Sequence, residues 1–381
     1  MPLLFLTDFY PPGFSSGGPS RSCYNLSVGL GSIVPVQVLT RDRDLGSRQS
    51  YPEVRTNEWI AFAPGVEVCY LSPTKQDFWA ILQKLQKSSG SVLYLNSMFS
   101  VPFTIYPLLA HWLRLIQGRV ILAPRGMLKA SALQFKSRKK KLFLAVFKAL
   151  GWHRFITFHA SSVAEAADIQ TVFGPKTRVF TCPPVPELGL IGNRIQQPKL
   201  ANITRFCIIG RVHPIKNIHK ALELLACVEN RVHVDIVGLI ENTDYYAHCQ
   251  SILAGLPDVV QVHFHGALPR VETLAILQQT DFFYLLTQGE NFGHAIFEAL
   301  ALGKPGIISD QTPWQMLAQK KAGWDLPLEQ DLGIQEVLKQ AIKMEDKTYQ
   351  IWSSGAFALA QAYVAESDWL ECYKRLFFPE A

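Results

Sequence analysis

Short apolar runs alternate with helix-length segments from one end of this chain to the other. In the first half, PLLFLTDFY, VPVQVLTRD, SVLYLN, RVILAPRG and FITFHA read as strands. In the second, RFCIIGR, HVDIVG, VQVHFHG, DFFYLL and KPGIISD do. These runs are rich in Val, Ile, Leu and Phe and barely alternate with polar residues, which marks strands covered on both faces. Between them lie helical patterns such as IHKALELLACV, PRVETLAILQQ and HAIFEALALG. Strand–helix alternation of this kind predicts an α/β chain of parallel sheets flanked by helices. The pattern breaks at residues 183–202, a stretch rich in Pro, Gly and polar residues, so two α/β domains are expected. A chain of 381 residues is long enough for both.

Open parallel sheets bind ligands beyond the carboxyl ends of their strands, and the unusual loops of this chain fall there. TQGENFGHAIFEALALGKPGIISD, residues 287–310, follows the strand DFFYLL and runs into a helix starting near Gly293 and His294. Gly289 and Gly293 permit tight turning. The helix start offers unpaired N–H groups and a partial positive charge, suited to phosphate. Glu290 precedes the helix, and Glu298 lies one turn in, on the face of His294. The pair can address two hydroxyl-bearing parts of one ligand; a capping acid beside a solvated one is the plainer alternative. CIIGRVHPIKNIHK repeats the strand–loop–helix arrangement. Gly210 ends the strand, and Arg211 and Lys216 supply two cations suited to a diphosphate. FYPPGFSSGGPSRS, after the first strand, is a glycine- and serine-rich loop with Gly17 and Gly18 ahead of a helix. It matches neither the dinucleotide fingerprint nor the P-loop.

Metal and nucleophile patterns are weak. Asp42 and Asp44 in RDRD have a spacing that can hold a divalent ion, but the surrounding arginines favour a solvated loop. HFH, with His263 and His265, reads as a strand with alternate faces, so no metal is expected. The seven cysteines include no C-x-x-C pair. Their scatter argues against a disulfide framework and for a reducing compartment. The start, MPLLFLTDFYPPG, lacks the basic-then-apolar order of a secretory signal, and no apolar run approaches membrane-spanning length. A cytoplasmic protein is expected.

Charge is unevenly placed. Residues 78–164 contain no Asp or Glu and thirteen Lys or Arg, including Arg138, Lys139, Lys140 and Lys141. Those thirteen come from a total of 37, so the rest of the chain holds fewer cations than its 31 acids. A solvated basic helix face is one reading. An anionic partner surface is the other: a bilayer leaflet, a phosphorylated lipid or, last, a nucleic acid. No nucleic-acid-binding motif is present.

In order along the chain, GRVHPIKN, VDIVG, GENFGHAIFEALALGKPGIISD and TPW resemble the second domain of family 4 glycosyltransferases, retaining enzymes of the GT-B fold. FYPPGFSSGGPSRS resembles the glycine loop of their first domain. LAPRGMLKASAL and FHASSVAEAADI resemble a bacterial branch that builds cell-surface polysaccharides. The resemblance implies two Rossmann-like domains facing a cleft. Residues 1–187 plus about 360–381 would form the acceptor-side domain, 200–359 the nucleotide-sugar domain, and 188–199 the linker. It implies that Arg211 and Lys216 hold the donor diphosphate and that Glu290 contacts the donor sugar. The backbone of Asn291, Phe292 and Gly293 would lie along the sugar and phosphate. Glu298 would hold the ribose, and Gly17 and Gly18 would approach the phosphate. No cofactor is implied, and the partners are a nucleotide sugar and a glycan or lipid-diphosphate acceptor. The chain departs from the family where many members carry a first-domain histidine: it has Arg125 and Gly126 there. Arg125, His111 or His159 would then take that role. A nucleotide-sugar epimerase and a non-catalytic nucleotide-sugar-binding subunit are the alternative functions.

Overall fold

A computed structural model describes residues 2–88, 92–134, 137–192 and 196–379. The chain divides into two compact units, Met1–Val185 with Asp368–Ala381, and Pro186–Ser367.

The first unit is built on an eight-stranded sheet. Its strands are β1 (Leu3–Leu6), β2 (Val36–Arg41), β3 (Trp59–Ala63), β4 (Val66–Leu71), β5 (Val92–Leu95), β6 (Val120–Leu122), β7 (Thr157–Ala160) and β8 (Val179–Thr181). Their spatial order is β3-β4-β2-β1-β5-β6-β7-β8, and every pairing is parallel except β3 on β4. The β3–β4 hairpin was not expected. Its turn, Pro64-Gly65, joins the half-buried WIAFA to the largely buried VEVCYL, two apolar runs that the sequence reading did not assign as strands. The second unit holds β9 (Thr204–Ile209), β10 (Val232–Val237), β11 (Val260–Gly266), β12 (Phe282–Leu285), β13 (Gly306–Ser309) and β14 (Gly323–Leu326). These are all parallel, in the order β11-β10-β9-β12-β13-β14. β1, β5, β12 and β13 are buried at every position, as a sheet covered on both faces requires.

Strand order reverses between β1 and β5 in the first sheet and between β9 and β12 in the second. At such a switch point the loops leaving the two strands part to opposite faces and open a crevice at the carboxyl edge. The loops after β1 and β5 carry Gly17, Gly18 and Asn96. The loops after β9 and β12 carry Arg211, Lys216 and Glu290.

Two boundaries differ from expectation. Residues 360–367 belong to the second unit, as the last turns of the long helix Asp346–Glu366. Only the final helix, Trp369–Phe377, returns to the first unit, where Tyr373, Leu376 and Phe377 are buried against Leu3 and Phe5. The expected linker is also structured. Leu190 is buried in the second core, and the buried Lys199 donates to the Ile342 carbonyl at 3.0 Å. Its polar composition hid anchors that only tertiary partners reveal. Residues 193–195 of that linker lie outside the described set. A third correction concerns the cysteines. Cys182 and Cys372 form a disulfide with Cα atoms 5.7 Å apart, joining the end of β8 to the final helix. Their 190-residue separation gave no sequence signal. No described helix is long and apolar enough to cross a membrane.

Candidate nucleotide-sugar site

The second unit's switch-point loops are laced to each other. After β9 the chain makes a short turn of helix at Pro214–Lys216, capped by Asn217 in the left-handed region (φ 55°). The Ile215 carbonyl accepts from Gln288 N at 2.8 Å and Thr287 Oγ1 at 3.0 Å, which fixes the β9 loop to the β12 loop. Lys216 then forms an ion pair with Glu290. Both side chains are largely buried, so the pair is less screened than a surface one. Gly210 makes room for it: a Cβ there would stand 3.2 Å from Lys216 Cε.

The helix His294–Ala301 starts where the sequence placed it. Gly293 adopts φ 79°, a conformation that glycine allows without penalty, and its carbonyl accepts from Phe297 N at 3.0 Å. Helix geometry leaves the preceding N–H groups without intrahelical acceptors. The loop ahead of it is pinned from below. Phe292 is buried against Trp314, Tyr363 and Phe297, and Trp314 Nε1 donates to the Phe292 carbonyl at 2.6 Å. That carbonyl serves first as an anchor. The part of the Asn291–Phe292–Gly293 segment suited to meeting a ligand is therefore its amide side.

Glu298 and Arg211 are not joined to the Lys216–Glu290 pair. Arg211 Nη1 lies 2.5 Å from Glu241, at the end of the neighbouring β10 loop, with both side chains substantially exposed. Glu298 is buried, and its Oε2 accepts from Arg270 Nη1 at 2.6 Å; Arg270 Nη2 also reaches Glu187 Oε2 at 2.6 Å. The sequence reading missed Arg270. A signal existed: it is the first residue of the helix Arg270–Gln279, where the helix dipole disfavours a cation unless carboxylates hold it.

In the first unit the glycine loop has an unforeseen support. Asp44 Oδ2 accepts from Phe14 N at 2.9 Å and Ser15 N at 3.0 Å, while Oδ1 accepts from Leu45 N at 2.7 Å. Asp42 is buried and paired with Arg43 at 2.8 Å. The solvated-loop reading of Asp42 and Asp44 is thus corrected: Asp44 shapes the loop. Gly17 takes φ 72° as the cap of the helix Gly18–Gly31, and Ser16 Oγ is buried with no partner in the structure. That atom is suited to a ligand arriving at the loop.

Arg125, at φ 55° and followed by Gly126 at φ 76°, turns its guanidinium into the sheet edge. Its Nε donates to Asn96 Oδ1 at 2.8 Å and its Nη2 to Tyr94 OH at 2.7 Å. Asn96 in turn donates to the Pro19 carbonyl at 2.9 Å, linking Arg125 to the first turn of the glycine-loop helix. Tyr94 OH lies 2.7 Å from His159 Nδ1, and His159 Nε2 lies 3.2 Å from the Cys182 carbonyl. His159 is 1% exposed, and burial, reinforced by Arg125, holds its pKa well below the ordinary value. A neutral ring with both nitrogens engaged inside the core cannot present itself to a ligand, so His159 supports Arg125 through Tyr94. His111 packs on Phe155 at 5.4 Å. Glu165 is buried below Gly126, accepting from Gly126 N at 2.6 Å and Ser161 N at 2.7 Å.

His263 and His265 share one face of β11, as strand alternation places them, with ring centroids 4.3 Å apart; His265 and His233 both reach Asp235 Oδ1. Among the described residues no group of three or more His, Cys, Asp or Glu side chains could hold a metal ion.

Residues 193–356, most of the second unit, match the family model of glycosyl transferases group 1. No curated protein matches by sequence. Several solved structures match over the whole chain. Sucrose-phosphate synthase from Thermosynechococcus elongatus is 17% identical with a TM-score of 0.72, covering 100% of both chains. Anabaena HepE in complex with UDP and glucose is 17% identical with a TM-score of 0.70, covering 99% of this chain and 98% of that one. WaaG, a glycosyltransferase involved in lipopolysaccharide biosynthesis, is 14% identical with a TM-score of 0.68, covering 99% and 100%. Two parallel-sheet units, full-length likeness to these structures and the group 1 match within the second unit establish that the chain has the GT-B fold.

Proposed function

We propose that this protein is a retaining, metal-independent glycosyltransferase that moves a sugar from a nucleotide-diphosphate donor to a glycan or lipid-linked acceptor in cell-surface polysaccharide synthesis. The observation that carries the reading is the Lys216–Glu290 pair at the second switch point, beside the start of the helix His294–Ala301. A diphosphate drawn to Lys216 and the helix start replaces Glu290 as the partner of the lysine. The released carboxylate then accepts from donor-sugar hydroxyls. As the bond from the anomeric carbon to the diphosphate breaks, negative charge grows on the leaving phosphate. Lys216, Arg211 and the helix N–H groups stabilise it, an electrostatic contribution already in place before the reaction. The departing phosphate takes the acceptor's proton as the acceptor attacks from the same face, so no separate base is required. Glu298 accepts from the ribose.

The test is a thermal-shift screen against nucleoside diphosphates and nucleotide sugars in EDTA, followed by assignment of the product's anomeric configuration by NMR. A ligand of the folded state adds about 2.7 kcal/mol at a hundredfold excess over its Kd. The proposal expects one diphosphate series to raise Tm in the wild type and not in Glu298→Ala. An inverted product, or conversion of donor to its epimer without acceptor, would overturn it.

A further inference from the structure

The first unit carries a surface that the transfer chemistry leaves unused, on the helix Ser137–Ala149. Its inward side is ordinary core. Leu144 and Phe147 are buried, Phe147 packs on Trp152 and Phe173, and Phe143 packs on Phe99. Its outward side is divided lengthwise. At helical spacing the exposed residues fall into two adjoining ridges. Arg138, Lys141 and Lys148 stand on one, and Lys139 leads Leu142 and Val146 on the other. Leu142 is 67% exposed and Val146 48%. Lys140 does not belong to this face: its Nζ donates to the Ala132 carbonyl at 2.6 Å and sits 5.5 Å above the Phe99 ring.

A helix face that merely meets water gains nothing from an apolar ridge, while one that lies in a lipid interface needs both ridges. The cations approach headgroup phosphates, and the apolar side chains enter the acyl boundary. The charge around the helix fits an anionic partner. Of the acids that flank this acid-free stretch, Asp77 caps the helix Phe78–Lys87 and Glu165 is buried beneath Gly126; Asp168, half-buried on the helix Val163–Phe173 that packs on Phe147, lies beside Lys129. Elsewhere on the first unit, at the end of the helix Tyr106–Trp112, Trp112 and Leu113 are likewise exposed beside Arg114. His111 at its end packs on Phe155, just beyond the end of the basic helix.

We infer that this face seats the first unit on an anionic bilayer surface, with Arg138, Lys139 and Lys141 as the electrostatic contacts and Leu142 and Val146 as the inserted side chains. Each cation near a charged leaflet contributes about fivefold in partitioning, so neutralising three lowers it roughly a hundredfold.

The experiment is co-flotation of the full chain with phosphatidylcholine vesicles, with and without about one third phosphatidylglycerol. The wild type floats only with the anionic vesicles and is released by salt. The Arg138→Gln, Lys139→Gln, Lys141→Gln variant loses flotation. Leu142→Ser with Val146→Ser reduces it by about tenfold or more at unchanged charge. All variants keep the wild-type Tm and its response to nucleoside diphosphates, which separates failure here from failure of the transfer reading. Absence of the wild type from anionic vesicles at low salt, or variants that float like it, overturns the inference. So does binding to single-stranded RNA that outcompetes the vesicles.

Discussion

Arg270 Nη1 stands 2.6 Å from Glu298 Oε2, and the other arm of the same guanidinium holds Glu187. One cation thus serves two carboxylates, one on the helix of the candidate site and one at the start of the second unit's chain. Removing it strands Glu298, which is 4% exposed, as an uncompensated buried charge. Arg270→Ala should cost about 2–4 kcal/mol of second-unit stability. Adding Glu298→Gln should restore part of the loss, because the stranded charge goes with it. Urea unfolding of the two variants measures both, and equal midpoints would show that the pair carries no such weight.

Lys216 and Glu290 make a different prediction, because each is placed in the chemistry. Lys216→Ala should lower kcat/KM by a factor of about 100–1000 while leaving the fold intact. Glu290→Gln should also lower kcat, and the double variant should lose less than the sum, since each residue is the other's resting partner. A double-mutant cycle on initial rates tests this. Additive losses would mean that the two act separately.

Asp44 touches the glycine loop through the amides of Phe14 and Ser15. Asp44→Ala should loosen that loop, leaving two amides without their charged acceptor, and weaken donor use by about 1.5–3 kcal/mol, or tenfold and more. Wild-type rates should be the same in EDTA and in added magnesium. A rate that depends on magnesium and vanishes with Asp44 would restore the aspartate as a metal ligand.

His159 predicts a pH effect on the first unit. Its folded pKa is depressed by burial and by Arg125, so below the ordinary value of 6.5 the unfolded chain binds a proton that the folded one does not. Stability from this residue is therefore full above pH 6.5 and falls as pH drops below it, by up to about 1.4 kcal/mol per pH unit. His159→Gln should flatten the fall in Tm between pH 6.5 and 5 by one proton's worth. A residual slope remains, because burial also lowers the pKa of His111 and His153. An unchanged slope in the variant would show that His159 is protonated in the folded protein.

Much of this architecture was readable in the chain. The ten apolar runs became strands because a run buried on both faces has few other stable fates. Gly293 could be placed at a helix start because a glycine, a helical pattern and a stop at Gly303 bracket it locally. Arg211, Lys216, Gly210 and Glu290 were legible as residues on strand-end loops, since strand, glycine and cation follow one another within a few positions.

What the sequence could not determine was who meets whom. Lys216 and Glu290 are 74 positions apart, Arg270 lies between Glu187 and Glu298, and Asp44 reaches back about thirty residues to the glycine loop. Cys182 finds Cys372 across 190 residues. Such partners are chosen by strand order, and the reversals at β1/β5 and β9/β12 have no local signature. Tertiary structure alone also settled that His159 is buried and neutral, that Lys140 turns inward while its neighbours face out, and that residues 360–367 stay with the second unit. The physical reason is common to all of them: periodicity and propensity act over one or two turns, whereas burial and charge pairing are set by whatever the folded sheet brings alongside.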